Sequence, residues 1–239
     1  MSTQETDLNS ATANPTTQLV TPAVNKQSAA LNSLIDSVLH KLSCHQSDSS
    51  LGCLCIGVVG SGKRVGVSTV THRLAIQSAL NNDNAVLVVD ANGAQPQQHR
   101  LSGVSESPGL VEYLTNRIEL KDCIQETSIR HMDLLTWGTG DLSGSLVSPI
   151  KLKELFADLR SRYQVIFVDL PAIEELTVGT VIPYAMMCDG VVLVLDGTAA
   201  KQGPTKELVD LFQERGIKVL GAIMNRYKPV LPRWLQRWF

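Results

Sequence analysis

The strongest constraint on the fold is an alternation that begins at Cys53. Short apolar runs at Cys53–Val59, Ala85–Asp90, Met132–Thr136, Val165–Asp169, Val191–Asp196 and Val219–Met224 are separated by helical periodicity at Ser68–Leu80, Leu110–Leu114, Ile150–Arg162, Thr177–Met186 and Thr205–Arg215. Most of the runs are rich in β-branched residues and apolar at consecutive positions, the pattern of strands covered on both faces. Strand and helix in turn predict an α/β fold: one doubly wound, mostly parallel sheet flanked by helices, over residues 51–227.

The flanks read differently. Residues 1–29 are rich in Ser, Thr, Asn and Gln and predict a disordered tail. Within 30–50, Leu31, Leu34, Ile35, Val38, Leu39 and Leu42 give a helix one apolar face, suited to docking on its own domain or another subunit. The chain carries 44% apolar and 18% charged residues and a net charge of −2, so nothing in its overall charge directs it to nucleic acid. The first thirty residues lack the apolar core of a secretory signal, and no apolar run is long enough to span a bilayer. The expected location is cytoplasmic. The five cysteines fit small buried hydrophobes in a reducing compartment, with Cys53 and Cys55 on one side of the first strand.

In a doubly wound sheet, ligands bind beyond the carboxyl ends of the strands. Those positions hold the segment Gly60–Gly66, then Asp90, Asp169, Asp196 and Asn225. "VVGSGKRVGVSTV", Val58 to Val70, has the glycines of a phosphate-binding loop, whose backbone can wrap an anion closely. Ser68 and Thr69 follow at the start of a helix, where a hydroxyl can cap the helix or hold Mg²⁺. Such a loop ends Gly-Lys-Ser/Thr, and here Val67 stands in place of the lysine. Loss of one charged hydrogen bond of about 1.5–3 kcal/mol weakens binding by about 10- to 150-fold. Lys63 and Arg64 in the same loop are either solvated or turned inward to replace the charge.

The ordered motifs resemble the bacterial tyrosine kinases (BY-kinases) of polysaccharide biosynthesis, within the P-loop ATPase group that includes the Min and Par positioning proteins. The likeness runs from about Ala30 to Asn225. Lys63-Arg64-Val65-Gly66-Val67-Ser68-Thr69 matches the family's Pro-Gly-Glu-Gly-Lys-Ser-Thr. "VLVVDANGAQPQQHRLSG" matches its second motif, with Asp90 kept, Asn92 for a second Asp and Ala94 for an Arg. "VIFVDLPA" matches its third, with Asp169 and Pro171 kept and Leu170 and Ala172 departing. "GAIMNRY" matches the strand-then-Asn-Arg segment, which implies Asn225 near an adenine base with Arg226 beside it.

The resemblance implies ATP and Mg²⁺ as ligands. Gly62, Lys63, Arg64, Gly66, Val67, Ser68, Thr69, Asn225 and Arg226 would surround the nucleotide. Ser68, Asp90 and Asp169 would hold the ion, and the two aspartates would serve catalysis in an active enzyme. The missing lysine, carboxylate and arginine point the same way, toward a retained fold with catalytic charge lost. The implied role is a weakened or inactive regulatory partner of an inner-membrane polysaccharide co-polymerase or related exopolysaccharide machinery, with self-association as a further contact. The family's C-terminal tyrosine cluster is reduced here to Tyr227, and the Leu31–Leu42 helix does not match the arginine-bearing helix of the family's ring. The alternatives are an active kinase or ATPase using Lys63 or Arg64, and a Min/Par-like positioning ATPase.

The tail at 228–239 reads "KPVLPRWLQRWF". Trp234, Leu235, Trp238 and Phe239, with Arg233 and Arg237, suit either a membrane interface at the inner face or a protein surface. A dinucleotide-binding oxidoreductase is disfavoured, because Val65 occupies the third glycine position of that fingerprint.

Overall fold

A computed structural model describes residues 52–82, 84–140, 142, 148–173, 178–198 and 202–226. The expected helix within 30–50 and the tail residues Trp234, Leu235, Trp238 and Phe239 lie outside the described residues.

Seven strands form one sheet in the order β3-β4-β2-β5-β1-β6-β7. They are β1 (Leu54–Gly60), β2 (Val86–Asp90), β3 (Ile124–Glu126), β4 (Met132–Leu135), β5 (Val165–Asp169), β6 (Gly190–Asp196) and β7 (Val219–Asn225). All neighbouring pairs are parallel except β3 with β4. The helices are α1 (Val67–Asn82), α2 (Gln98–Ser102), α3 (Leu110–Leu114), α4 (Leu120–Cys123), α5 (Pro149–Arg162), α6 (Val178–Ala185) and α7 (Gln202–Glu214). This is the doubly wound α/β class that the alternation predicts. It adds an antiparallel edge strand, β3, and two short helices, α2 and α4. β3 has only three residues, Ile-Gln-Glu, and is too short and too polar to show a strand period.

Two apolar layers cover the sheet. On one face Ile56, Val58, Val86, Val88 and Phe167 pack with Val70, Leu74, Ala75 and Ala79 of α1. On the other face Cys55, Val59, Leu87, Val89, Ile166 and Val168 pack with Leu152, Leu155 and Leu159 of α5, Val181 and Ile182 of α6, and Phe212 of α7. Successive residues of β1, β2 and β5 therefore enter opposite layers, which explains runs apolar at every position. Each fully buried side chain of this size contributes about 1.5–3 kcal/mol. Cys53 and Cys55 belong to the same layer and are free thiols.

The parallel arrangement sends the segments after β1, β2 and β5 to one edge of the sheet. Val58, Asp169 and Asp90 are register partners across β1, β5 and β2, so both strand-ending aspartates stand at the same level beside the β1 loop. The opposite edge is tied by Arg160 of α5. Its guanidinium donates to both carboxylate oxygens of Asp189 at 3.0 and 3.1 Å, and to the carbonyls of Cys53 and Met187. Asp189 in turn accepts from the backbone N–H of Cys55 at 2.7 Å. One side chain thus joins α5, the start of β1 and the turn before β6. Arg160→Ala removes four hydrogen bonds and lowers stability by about 2–4 kcal/mol in urea unfolding.

Candidate functional site

The loop after β1 follows the course its glycines allow. Gly66 has φ +93°, and a Cβ there would stand 2.3 Å from the Asn225 amide nitrogen. That amide donates to the Val65 carbonyl at 2.8 Å, so Asn225, at the end of β7, holds the back of the loop. Val70 N–H donates to the Gly66 carbonyl at 3.0 Å as the first turn of α1 forms. Arg64 has φ +58°, a left-handed conformation that is uncommon for a residue with a side chain. Gly66→Ala forces a strained φ and a clash with Asn225, and lowers the melting temperature by several degrees.

Val67 is buried and packs in the same layer as Val65 and Val70. One of its methyl carbons lies 2.8 Å from where a Cβ on Gly60 would stand. The residue in the lysine's position is therefore part of the core beneath the loop as well as of the cleft wall. Lys63 and Arg64 are exposed on the loop. A cleft of about 460 Å³ opens over the loop, lined by Gly62, Lys63, Arg64, Gly66, Val67, Ser68 and Thr69 on one side and by Asn92, Ala94, Gln95, Gln97, Pro171, Ala172 and Arg226 on the other. Arg226 also reaches Asp196 at 3.4 Å. Of the nucleotide-site residues expected from the sequence, all but Asn225 line this cleft, and Asn225 stands behind the loop.

The two aspartates are buried side by side. Asp90 accepts three backbone N–H groups, from Asn92 at 3.1 Å and from Gln97 and Gln98 at 3.0 Å each, so it caps α2 from a distance. Burial holds its carboxyl above the usual range, against the pull of those hydrogen bonds. Asp169 accepts from the Gln98 side-chain amide at 2.7 Å through Oδ2, while Oδ1 has no well-formed hydrogen bond among the described residues. Burial, and then the neighbouring Asp90, push the Asp169 carboxyl up to about 8; Gln98 and Ser68 pull the other way. An orphaned carboxylate oxygen beside a helix-start hydroxyl suits a hard divalent cation, so Ser68 and Asp169 fit Mg²⁺. Asp90 is already engaged by backbone.

Two of the departures from the family motifs have defined local surroundings. Leu170 is buried in the layer beneath α5 and α6. Asn92 accepts Gln95 N–H at 3.3 Å and keeps the turn after β2. Sequence reasoning passed over Gln98, which is fully buried between α1 and β5. It also passed over Glu112, whose carboxylate accepts from the backbone N–H groups of Gly109, Thr139 and Gly140 and ties the loop after β4 to α3. Neither residue carries a spacing signal; a glutamine two positions after a proline and a glutamate on a short helix look solvated in sequence.

A glycine-rich loop running into a helix, at the carboxyl edge of a parallel sheet and beside two strand-ending aspartates, defines a P-loop NTPase domain. Comparison with known proteins places the relatives within that class. No family model matches the chain. It is 30% identical over 141 residues to the Staphylococcus aureus protein named "Putative tyrosine-protein kinase CapB", a match covering 59% of this chain and 61% of that one. Its match to the longer tyrosine-protein kinase ptk of Acinetobacter johnsonii covers 23% of that protein, so the chain spans less than two thirds of either relative. In fold it is similar to the kinase domain of the Escherichia coli tyrosine kinase ETK, with a TM-score of 0.69 and 22% identity over 83% of this chain and 79% of that one. MinD of Pyrococcus horikoshii, solved with Mg-ADP, gives a TM-score of 0.64 and 23% identity over 77% and 76% of the two chains. The chain is thus similar in sequence to proteins named bacterial tyrosine-protein kinases, on a fold shared with their kinase domains and with MinD-type P-loop ATPases. Among the described residues no helix is long and apolar enough to cross a membrane.

The raised Asp169 pKa has a consequence for stability. In the unfolded chain this carboxyl ionises near 4, whereas in the folded protein it keeps its proton up to about 8. The folded state binds the extra proton between those values, so this group's contribution is full below pH 4 and is lost as pH rises toward 8. Asp169→Asn removes the titration. The metal-free variant is expected to gain stability over wild type by about 1–3 kcal/mol at pH 8 and by little at pH 5, measured by urea unfolding in EDTA.

Proposed function

We propose that the chain is a nucleotide-binding domain of bacterial tyrosine-kinase type with phosphoryl transfer weakened or lost. It regulates exopolysaccharide or capsule assembly as the partner of an inner-membrane polysaccharide co-polymerase. The observation that carries the reading is Val67: the glycines of the loop remain while the side chain in the lysine's position packs with Val65 and Val70 beneath it. Backbone N–H groups of the loop and the N-terminus of α1 remain to bind phosphate oxygens. Mg²⁺, held by Ser68 and Asp169, would neutralise phosphate charge. Nothing at position 67 can follow the charge that grows on the transferring group, and that is where a lysine contributes most.

A second reading keeps catalysis and assigns the charge to Lys63 or Arg64. The observation in its favour is that both line the cleft and are exposed, so a rotamer change brings either side chain over the loop.

Titration with a fluorescent ATP analogue, with Mg²⁺ and in EDTA, separates the two. Wild type is expected to bind in the micromolar range or weaker without measurable hydrolysis, and Val67→Lys to bind about 10- to 150-fold tighter. A lysine can run its stem along the loop and present its ammonium to the cleft. Submicromolar binding by wild type, or hydrolysis that disappears in Lys63→Ala or Arg64→Ala, would overturn the weakened-site reading in favour of the second.

A further inference from the structure

Gln98 is the first residue of α2 and is fully buried. Its side-chain nitrogen donates both protons: one to Asp169 Oδ2 at 2.7 Å, the other to the Ser68 carbonyl at 3.0 Å. Two acceptors around one amide nitrogen fix its orientation, because the amide oxygen cannot donate. The carboxamide therefore bridges the start of α1 and the end of β5, the two elements that supply Ser68 and Asp169. One partly positive N–H of that amide lies against the Asp169 carboxyl. The other oxygen of that carboxylate, Asp169 Oδ1, is buried without a well-formed hydrogen bond among the described residues. The backbone of Gln98 is anchored separately, since its N–H donates to Asp90 Oδ2 at 3.0 Å. The side chain can thus leave Asp169 while α2 stays in place.

We propose that Gln98 is a built-in stand-in for a divalent cation. It holds the Asp169 carboxylate in the metal-free protein, and a divalent ion gains full access to that carboxylate only by displacing the carboxamide. Gln98 therefore sets how strongly the site depends on a divalent ion. The proposal rests on the nucleotide-binding reading of the cleft, and it predicts a site that takes nucleotide with little help from a cation.

The test uses the full chain with Mn²⁺ as the ion and a fluorescent ADP analogue as the nucleotide. Gln98→Met keeps the length and removes both N–H donors. Mn²⁺ alone, followed by electron paramagnetic resonance, is expected to bind this variant at least about tenfold tighter than wild type, because the ion no longer has to break the hydrogen bond from the carboxamide to Asp169. The ratio of ADP affinity with Mn²⁺ to that in EDTA is expected to stay below about threefold in wild type and to exceed about tenfold in Gln98→Met. Equal Mn²⁺ affinity in the two proteins overturns the proposal. Gln98→Glu guards against misfolding of the first variant: a third carboxylate beside Asp90 and Asp169 makes folding itself cation-dependent, so its melting temperature rises with Mn²⁺ more steeply than that of wild type. A melting temperature insensitive to Mn²⁺ in Gln98→Glu also overturns the proposal. If no variant binds ADP while the Mn²⁺ affinities separate as stated, the nucleotide reading fails and the role of Gln98 stands.

Discussion

The site depends on two carboxylates that end neighbouring parallel strands at one level. Asp90 and Asp169 are register partners, both buried, in a place where two negative charges repel at short range. The fold resolves this by giving them different surroundings. Asp90 receives three backbone N–H groups from the segment that follows it and so becomes the organiser of α2. Asp169 receives one side-chain amide and keeps one oxygen without a well-formed partner among the described residues. Burial raises both carboxyls, and the three backbone donors offset that rise at Asp90 where Asp169 has a single side-chain amide and the neighbouring Asp90 against it.

Beneath the loop the balance is apolar. Val65, Val67 and Val70 enter the layer formed by α1 and the strands, so the loop is held from below by burial and from behind by Asn225. A catalytic loop with a lysine must leave that side chain in the cleft, whereas this one turns a valine into the core. Packing and charge compete for position 67, and packing has it.

Much of this was legible in the sequence, for reasons that can be named. The strands β1, β2, β5 and β6 declare themselves because both faces are buried and no charged residue precedes the aspartate that closes β2, β5 and β6. The loop declares itself because Gly60, Gly62 and Gly66 precede two hydroxyl residues. Asp90 and Asp169 stand out as the first charges after such runs. What the sequence hid depends on long-range contacts: Gln98 meets Asp169 across 71 residues, and Asn225 meets Val65 across 160. No local period encodes either contact. β3 was hidden differently, since its two half-buried residues and one exposed residue pair with β4 by position at the sheet edge and not by composition.

The bond from Asn225 to Val65 also has a thermodynamic meaning. β7 stands last in the strand order and the loop follows β1, near the centre of the sheet, so an outer strand and the anion-binding turn share one hydrogen bond. Their opening equilibria are then linked. Whatever orders the turn raises the free energy of fraying the strand, and by reciprocity whatever pins the strand lowers the cost of ordering the turn. The edge strand is thereby a lever on the loop two strands away, and occupancy of the turn is felt as protection along the nearer border of the sheet.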